Sequence, residues 1–157
     1  MGFAPETIAE FELVQSLAGD MEFAPAEALI STSGIVSVYQ LLRKQNGRAV
    51  EAVTSADVAA AALGDAVARR AIDLFSIWLG RFAGDVALTV GARGGVFIVG
   101  SVATNIAPAL HTGAFRAAFE KKGRMSAYLS EIPVHVIRTP NAGLKGAAVA
   151  ARAASSL

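Results

Sequence analysis

Apolar residues Ile8, Phe11, Leu13, Val14 and Leu17 recur at the spacing of one helical face, with acids in the first turn, so Glu6 to Ala18 predicts a helix. The stretch GDMEFAPAEALISTSG (Gly19–Gly34) is mostly turn chemistry, with a short ordered piece from Pro25 to Ile30. A second helix is predicted over Ile35–Gly47. Ile35, Val38, Tyr39, Leu41 and Leu42 form its apolar face, and Arg43, Lys44 and Gly47 give its stop signal. Thr54, three residues before Asp57, is close to a capping box. From Asp65 to about Val90 the chain is apolar on most sides with Trp78 near the middle, which predicts one long helix or two at the centre of the fold. GVFIVG (Gly95–Gly100) is a short uninterrupted apolar run rich in β-branched residues and predicts a buried strand. An amphipathic helix over Phe115–Gly123, a second strand over Pro133–Thr139 and an alanine-rich closing helix over Gly143–Leu157 complete the reading. Two strands, each followed by a helix, in an otherwise helical chain predict a mixed α/β fold, helix-rich with a buried strand pair.

Composition sharpens this picture. Apolar residues make up 54% of the 157 and charged residues 17%, as expected for one packed domain or most of one. The net charge of +1 leaves no basic field with which to hold nucleic acid. Mean hydropathy is +0.48, yet Asp73, Arg81 and Asp85 interrupt the longest apolar region, which argues against a membrane span. The N-terminus has neither the basic nor the apolar region of a signal peptide. Cysteine is absent, so there is no disulfide framework, thiolate metal site or cysteine nucleophile, which suits a reducing cytoplasm.

Few residues point to chemistry by themselves. GARGGVFIVGS matches neither the dinucleotide fingerprint nor the P-loop. Its glycines at the strand ends permit close approach of either another chain segment or a ligand. Glu27 reads as a solvated glutamate in the first turn of a short helix, or as an acceptor for two adjacent hydroxyls. His111 falls in a turn and His135 on a strand face, and two isolated histidines make no metal cluster. Glu6 and Glu10 share a helix face that reads as solvated. EKKGR (Glu120–Arg124) reads as a solvated helix end with phosphate contact as the other option.

The segments GFAP, AEALISTSGIVSVYQLL, LFSIWLGRFAGDVALTVGARGGVFIVGS, AFRAAFEKKGRMSAYLSEIPVHVI and NAGLKGAA occur in this order. Together they resemble the C-terminal half of the bacterial glucokinases, members of the actin-like sugar-kinase superfamily. The resemblance implies the large-domain half of a ribonuclease H-like fold over residues 1–142, and a closing helix over 143–157 that returns to a small domain. It implies ATP with Mg²⁺ as phosphoryl donor, glucose as acceptor, a cytoplasmic location and a homodimer. Gly95, Gly100 and Ser101 match the strand and turn against adenosine, although the bacterial family usually has a second glycine where Ser101 stands. Glu27 matches a glutamate that binds sugar hydroxyls. The STSG after it departs from the usual Ser-Gly-Pro-Gly.

The family's phosphate-binding hairpin, its Asn-Asp pair with the catalytic aspartate, its glycine-rich threonine turn and its Glu-Gly-Gly-His segment have no match here. The expectation is therefore a chain without the N-terminal small domain and inactive alone, needing that N-terminal half as partner. It would be a truncation, a split-gene product or a fragment begun at an internal methionine. The alternative is a non-catalytic nucleotide- or sugar-binding or assembly module that kept the fold.

Overall fold

The computed structural model describes residues 1–19, 22–139 and 141–155. The chain begins with α1 (Ile8–Ala18), α2 (Ala26–Leu29), α3 (Thr32–Gln45), α4 (Ser55–Ala61) and the 25-residue α5 (Ala66–Val90). Strand β1 (Val96–Val99) follows, then α6 (Ser101–Asn105), α7 (Ala107–Leu110), α8 (Ala114–Glu120), a 3-10 turn (Gly123–Met125) and α9 (Ser126–Ser130). Strand β2 (Val134–Ile137) and α10 (Ala142–Ala154) close the chain. The mixed, helix-rich class is the one expected. Positions 156 and 157 of the expected closing helix lie outside the described residues, as do positions 20 and 21 of the first turn region.

Local chemistry sets the boundaries. The Thr7 hydroxyl accepts from the Glu10 amide at 3.1 Å and starts α1. Ser31 accepts from the Gly34 amide at 3.1 Å, which starts α3 three residues ahead of the apolar face that announced it. Thr54 and Asp57 form a full reciprocal capping box on α4. Asp65 accepts from the Val67 amide at 2.8 Å, and from there α5 runs unbroken for roughly 37 Å.

Helix α5 is the axis of the core. Trp78, Phe75 and Leu74 are buried along it, and Ile35 and Val38 of α3, Val58 of α4, Phe115 and Phe119 of α8 and Leu129 of α9 pack into the same cluster. Gly80 and Gly84, one turn apart, let α8 lie directly on the α5 backbone. A β-carbon at Gly80 would overlap the Phe115 carbonyl, and one at Gly84 would stand 2.5 Å from the Phe119 carbonyl.

Strands β1 and β2 pair in parallel, from Val96 opposite Val134 to Val99 opposite Ile137, with α6–α9 as the crossover. Here the structure corrects the sequence reading. Val96, Ile98, Val134 and Val136 pack on the core, but Phe97 is 61% and Val99 54% exposed. The strand pair is thus covered on one face only among the described residues, because the core helices all lie on the Val96–Ile98 side. Helix α10 has no buried residue, and Leu144 and Val149 stand in solvent.

A second correction concerns Glu6 and Glu10, which do not form a solvated face. The buried Arg81 guanidinium bridges them, with Nε at 3.2 Å from Glu6 and Nη1 at 3.0 Å from Glu10. Trp78 Nε1 also donates to Glu10 at 3.3 Å, and Arg81 donates to the Ala4 carbonyl. Burial alone would raise the Glu10 pKa, but Arg81, the Glu6 amide and Trp78 outweigh it and hold the carboxyl below its ordinary 4.5.

Two outcomes follow. Gly80→Ala forces α8 off α5 and lowers unfolding free energy in urea by about 1–3 kcal/mol; an unchanged midpoint would show that the helices yield freely. Because the folded Glu10 pKa is depressed, its contribution is fully present above about pH 4.5 and is lost as pH falls through the folded value. Arg81→Met should destabilise the chain by about 3 kcal/mol at neutral pH and flatten the acid limb of stability against pH.

Candidate functional site

In a parallel pair the carboxyl ends of the strands are where ligands approach. At that end of β1 and β2 lies a cleft of about 550 Å³, within the range of small-molecule sites. The Gly100–Ser101 turn, Thr104 and Asn105 of α6, Arg138 and Asn141 after β2 and the start of α10 line it. Val99, Ile137 and Leu144 supply its apolar surface.

Gly100 lines the cleft, and its backbone conformation by itself favours glycine. Its φ of 139° is one that side chains rarely adopt, and a β-carbon there would meet nothing within 4 Å. Chain packing therefore does not require glycine here; the turn faces open cleft. Its carbonyl accepts from the Thr104 amide and hydroxyl at 3.2 and 3.1 Å, which fixes the turn against α6.

Gly95 is elsewhere. It precedes β1 at the opposite end, roughly 16 Å along the strand, and does not line the cleft. A side chain there would press on Pro133 at 3.3 Å, so strand packing accounts for this glycine.

A smaller cavity of about 260 Å³ shares Val99, Gly100 and Ser101 with the cleft and reaches Ile30, Ser31 and Thr32 at the α2–α3 turn. The Gly100–Ser101 turn thus stands between the cleft and the α2–α3 turn, where the STSG segment begins. Glu27 sits in the first turn of α2, exposed and without a hydrogen-bond or ion-pair partner among the described residues. It lines neither cavity.

The remaining sequence candidates lie outside the cleft. His135 is exposed on the open sheet face and stacks on Phe97 with ring centroids 5.2 Å apart. His111 is an exposed residue at the end of α7. Of EKKGR, Glu120 pairs with Arg116, Lys121 with Glu6 at 2.9 Å and Lys122 with Asp85 at 2.6 Å, so this segment ties α8 to α5 and the N-terminus.

Among the described residues no lining residue of the cleft is acidic, and Arg138 is the charged one. Among the described residues no three of His, Cys, Asp and Glu converge to hold a metal ion. The residues present therefore suit an uncharged or anionic organic ligand and do not fit a magnesium site. Arg138, Asn105 and Asn141 were not found from the sequence. The signal was there in the junction IRTPNAG, which follows the second parallel strand as Gly100–Ser101 follows the first.

A sequence model of the glucokinase family matches residues 1–154. Glucokinase from Caulobacter sp. (strain K31) is 40% identical over 151 residues, covering 96% of this chain and 46% of the relative. In shape the chain is similar to a glucokinase from an Antarctic psychrotroph, with a TM-score of 0.78 at 29% identity, covering 88% of this chain and 44% of that one. It also shares its fold with the Balamuthia mandrillaris glucokinase solved in complex with glucose, with a TM-score of 0.75 at 19% identity, covering 89% and 41%. The chain thus spans about 46% of the length of the curated relatives it matches. With nearly its whole length matched by the family model, this chain belongs to the glucokinase family.

Proposed function

We propose that this chain supplies the nucleotide and sugar faces of a glucokinase that transfers the ATP γ-phosphoryl group to the 6-hydroxyl of glucose. In this reading residues 1–142 are the large domain, α10 is the arm leading to a small domain, and the complete enzyme is a cytoplasmic homodimer. One observation carries it: the cleft at the carboxyl ends of β1 and β2, with the unobstructed Gly100 turn on its wall, in a chain of this family. That no helix among the described residues is long and apolar enough to cross a membrane is compatible with it. The glucose bound to the Balamuthia mandrillaris protein supports glucose as the sugar.

The roles follow from what the side chains can do. Gly100 and Ser101 let adenosine lie against the backbone, and the aliphatic walls exclude water from it. Glu27, with both carboxylate oxygens free, accepts from two neighbouring sugar hydroxyls. Neither task is proton abstraction. Among the described residues the cleft holds no carboxylate or histidine to act as general base. Among the described residues it also gives Mg²⁺ no carboxylate, so the carboxylates that would hold the ion, which screens phosphate charge when bound with ATP, come from elsewhere. Base and phosphate-positioning groups come from the length of the relatives that this chain does not cover, where the family resemblance implies an aspartate and glycine-rich turns.

Two outcomes test the reading. In a coupled assay with glucose, ATP and Mg²⁺ the chain alone shows no turnover, because base loss alone typically costs about 10²–10⁴-fold and phosphate positioning is lost with it. Adding the uncovered portion of a relative in trans restores turnover, and Glu27→Ala in that mixture raises the glucose KM by roughly 10- to 100-fold while leaving that for ATP unchanged. Turnover by the chain alone would reveal a base within it.

The second concerns Gly100→Val. The folded fraction of this variant, quantified by calorimetry, binds ATP at least about tenfold more weakly, the equivalent of about 1.4 kcal/mol. Intact affinity in the folded fraction would limit Gly100 to a conformational role.

A further inference from the structure

The cleft presents Ser, Thr, Asn and aliphatic side chains but no Phe, Tyr, Trp or His. A purine there finds no aromatic face to stack on. Besides the carboxamides of Asn105 and Asn141, the Arg138 guanidinium is the planar, delocalised side-chain group in the lining among the described residues, and it alone carries charge.

Its position follows from the strand register. Val99 pairs with Ile137 in parallel, so the next residues, Gly100 and Arg138, leave adjacent strands side by side at roughly 4.8 Å spacing. Arg138 therefore stands next to the turn whose backbone is open to the cleft. Its guanidinium has no salt bridge, hydrogen bond or ring contact among the described residues and is free to meet a ligand. No carboxylate lines the cleft to draw it away.

We infer that Arg138 holds the nucleotide base by stacking its guanidinium on the purine face, with Val99, Ile137 and Leu144 as the aliphatic surroundings. The inference rests on the assignment of this cleft to the nucleotide. A guanidinium is weakly hydrated and stacks readily on aromatic planes, which a lysine ammonium cannot do in the same way. The base is the only part of ATP with such a plane, so Arg138 acts on adenosine as strongly as on ATP.

The test is a titration of the 157-residue chain with adenosine, ADP and ATP, without magnesium, by ligand-observed NMR. Wild type, Arg138→Ala and Arg138→Lys are compared, with circular dichroism confirming that each is folded. Stacking predicts that Arg138→Ala weakens all three ligands by the same factor, roughly 3- to 30-fold, and that Arg138→Lys recovers little. If adenosine is unaffected while ADP and ATP weaken, and lysine restores them, Arg138 is a phosphate contact and the inference is overturned. Unchanged affinity for all three ligands overturns it as well, leaving the cleft assignment standing. If wild type binds no adenosine, the cleft assignment falls first and the inference with it.

Discussion

The backbone-to-backbone contact of α5 with α8 is the constraint on which the rest of the arrangement hangs. Side chains at positions 80 and 84 would push the helices apart, and the bare turn presented by Gly80 and Gly84 instead lets the Phe115 and Phe119 carbonyls rest on α5. That seats both phenylalanine rings in the core beside Phe75 and Trp78. Since α8 belongs to the crossover between β1 and β2, its depth against α5 also sets the height at which β2 returns to pair with β1. Arg116 of α8 extends the control by donating to the carbonyls of Leu129, Ser130 and Ile132 just ahead of β2. The carboxyl ends of the two strands, and so the cleft, inherit their alignment from a helix contact on the far side of the sheet.

Arg81, the neighbour of Gly80, works in the other direction along the chain. By gripping Glu6, Glu10 and the Ala4 carbonyl it fixes the N-terminal segment against Trp78. That segment in turn exchanges backbone hydrogen bonds with the residues entering α2, from the Phe3 amide to Ala24 and from the Ala26 amide to Met1. Glu27 comes next. A buried charge cluster is a costly way to hold a terminus, since desolvation offsets much of the Coulomb gain. Its geometric effect is nonetheless specific: it locates the start of the helix that carries the proposed sugar ligand.

How much of this was legible follows the range of the interactions. Elements defined by local chemistry were readable: the Thr54–Asp57 box, the long apolar α5 and the two β-branched strands. Features that depend on a distant partner were not. Nothing near Glu6 and Glu10 announces an arginine some seventy residues away, so their spacing looked like a solvated face. Likewise the run VFIV is apolar enough for burial on both sides, and only tertiary structure shows that Phe97 and Val99 face outward. At the cleft, Gly100 and Ser101 were legible because a strand–glycine–helix junction is a local pattern. Arg138 and Asn141 were missed because their place beside that junction comes from strand pairing across the crossover. Gly95 lies at the other end of β1, where its close approach to Pro133 is likewise set by strand pairing.

The chemistry of the cleft separates two tasks that a kinase must combine. A surface built from aliphatic side chains, amides, hydroxyls and one guanidinium can hold a base and a ribose, and has nothing with which to move a proton. Placing a carboxylate beside a polyphosphate would add like-charge repulsion unless a cation lay between them. A cleft without an acid among its described residues avoids that repulsion. The same division explains how Glu27 fits the scheme. It is acidic, but it belongs to a different element, outside the cleft and beyond the turn that walls it. Its charge can then act on neutral sugar hydroxyls without opposing the nucleotide. In the proposed scheme the Gly100–Ser101 turn lies between the cleft that carries Arg138 and the cavity that reaches the α2–α3 turn.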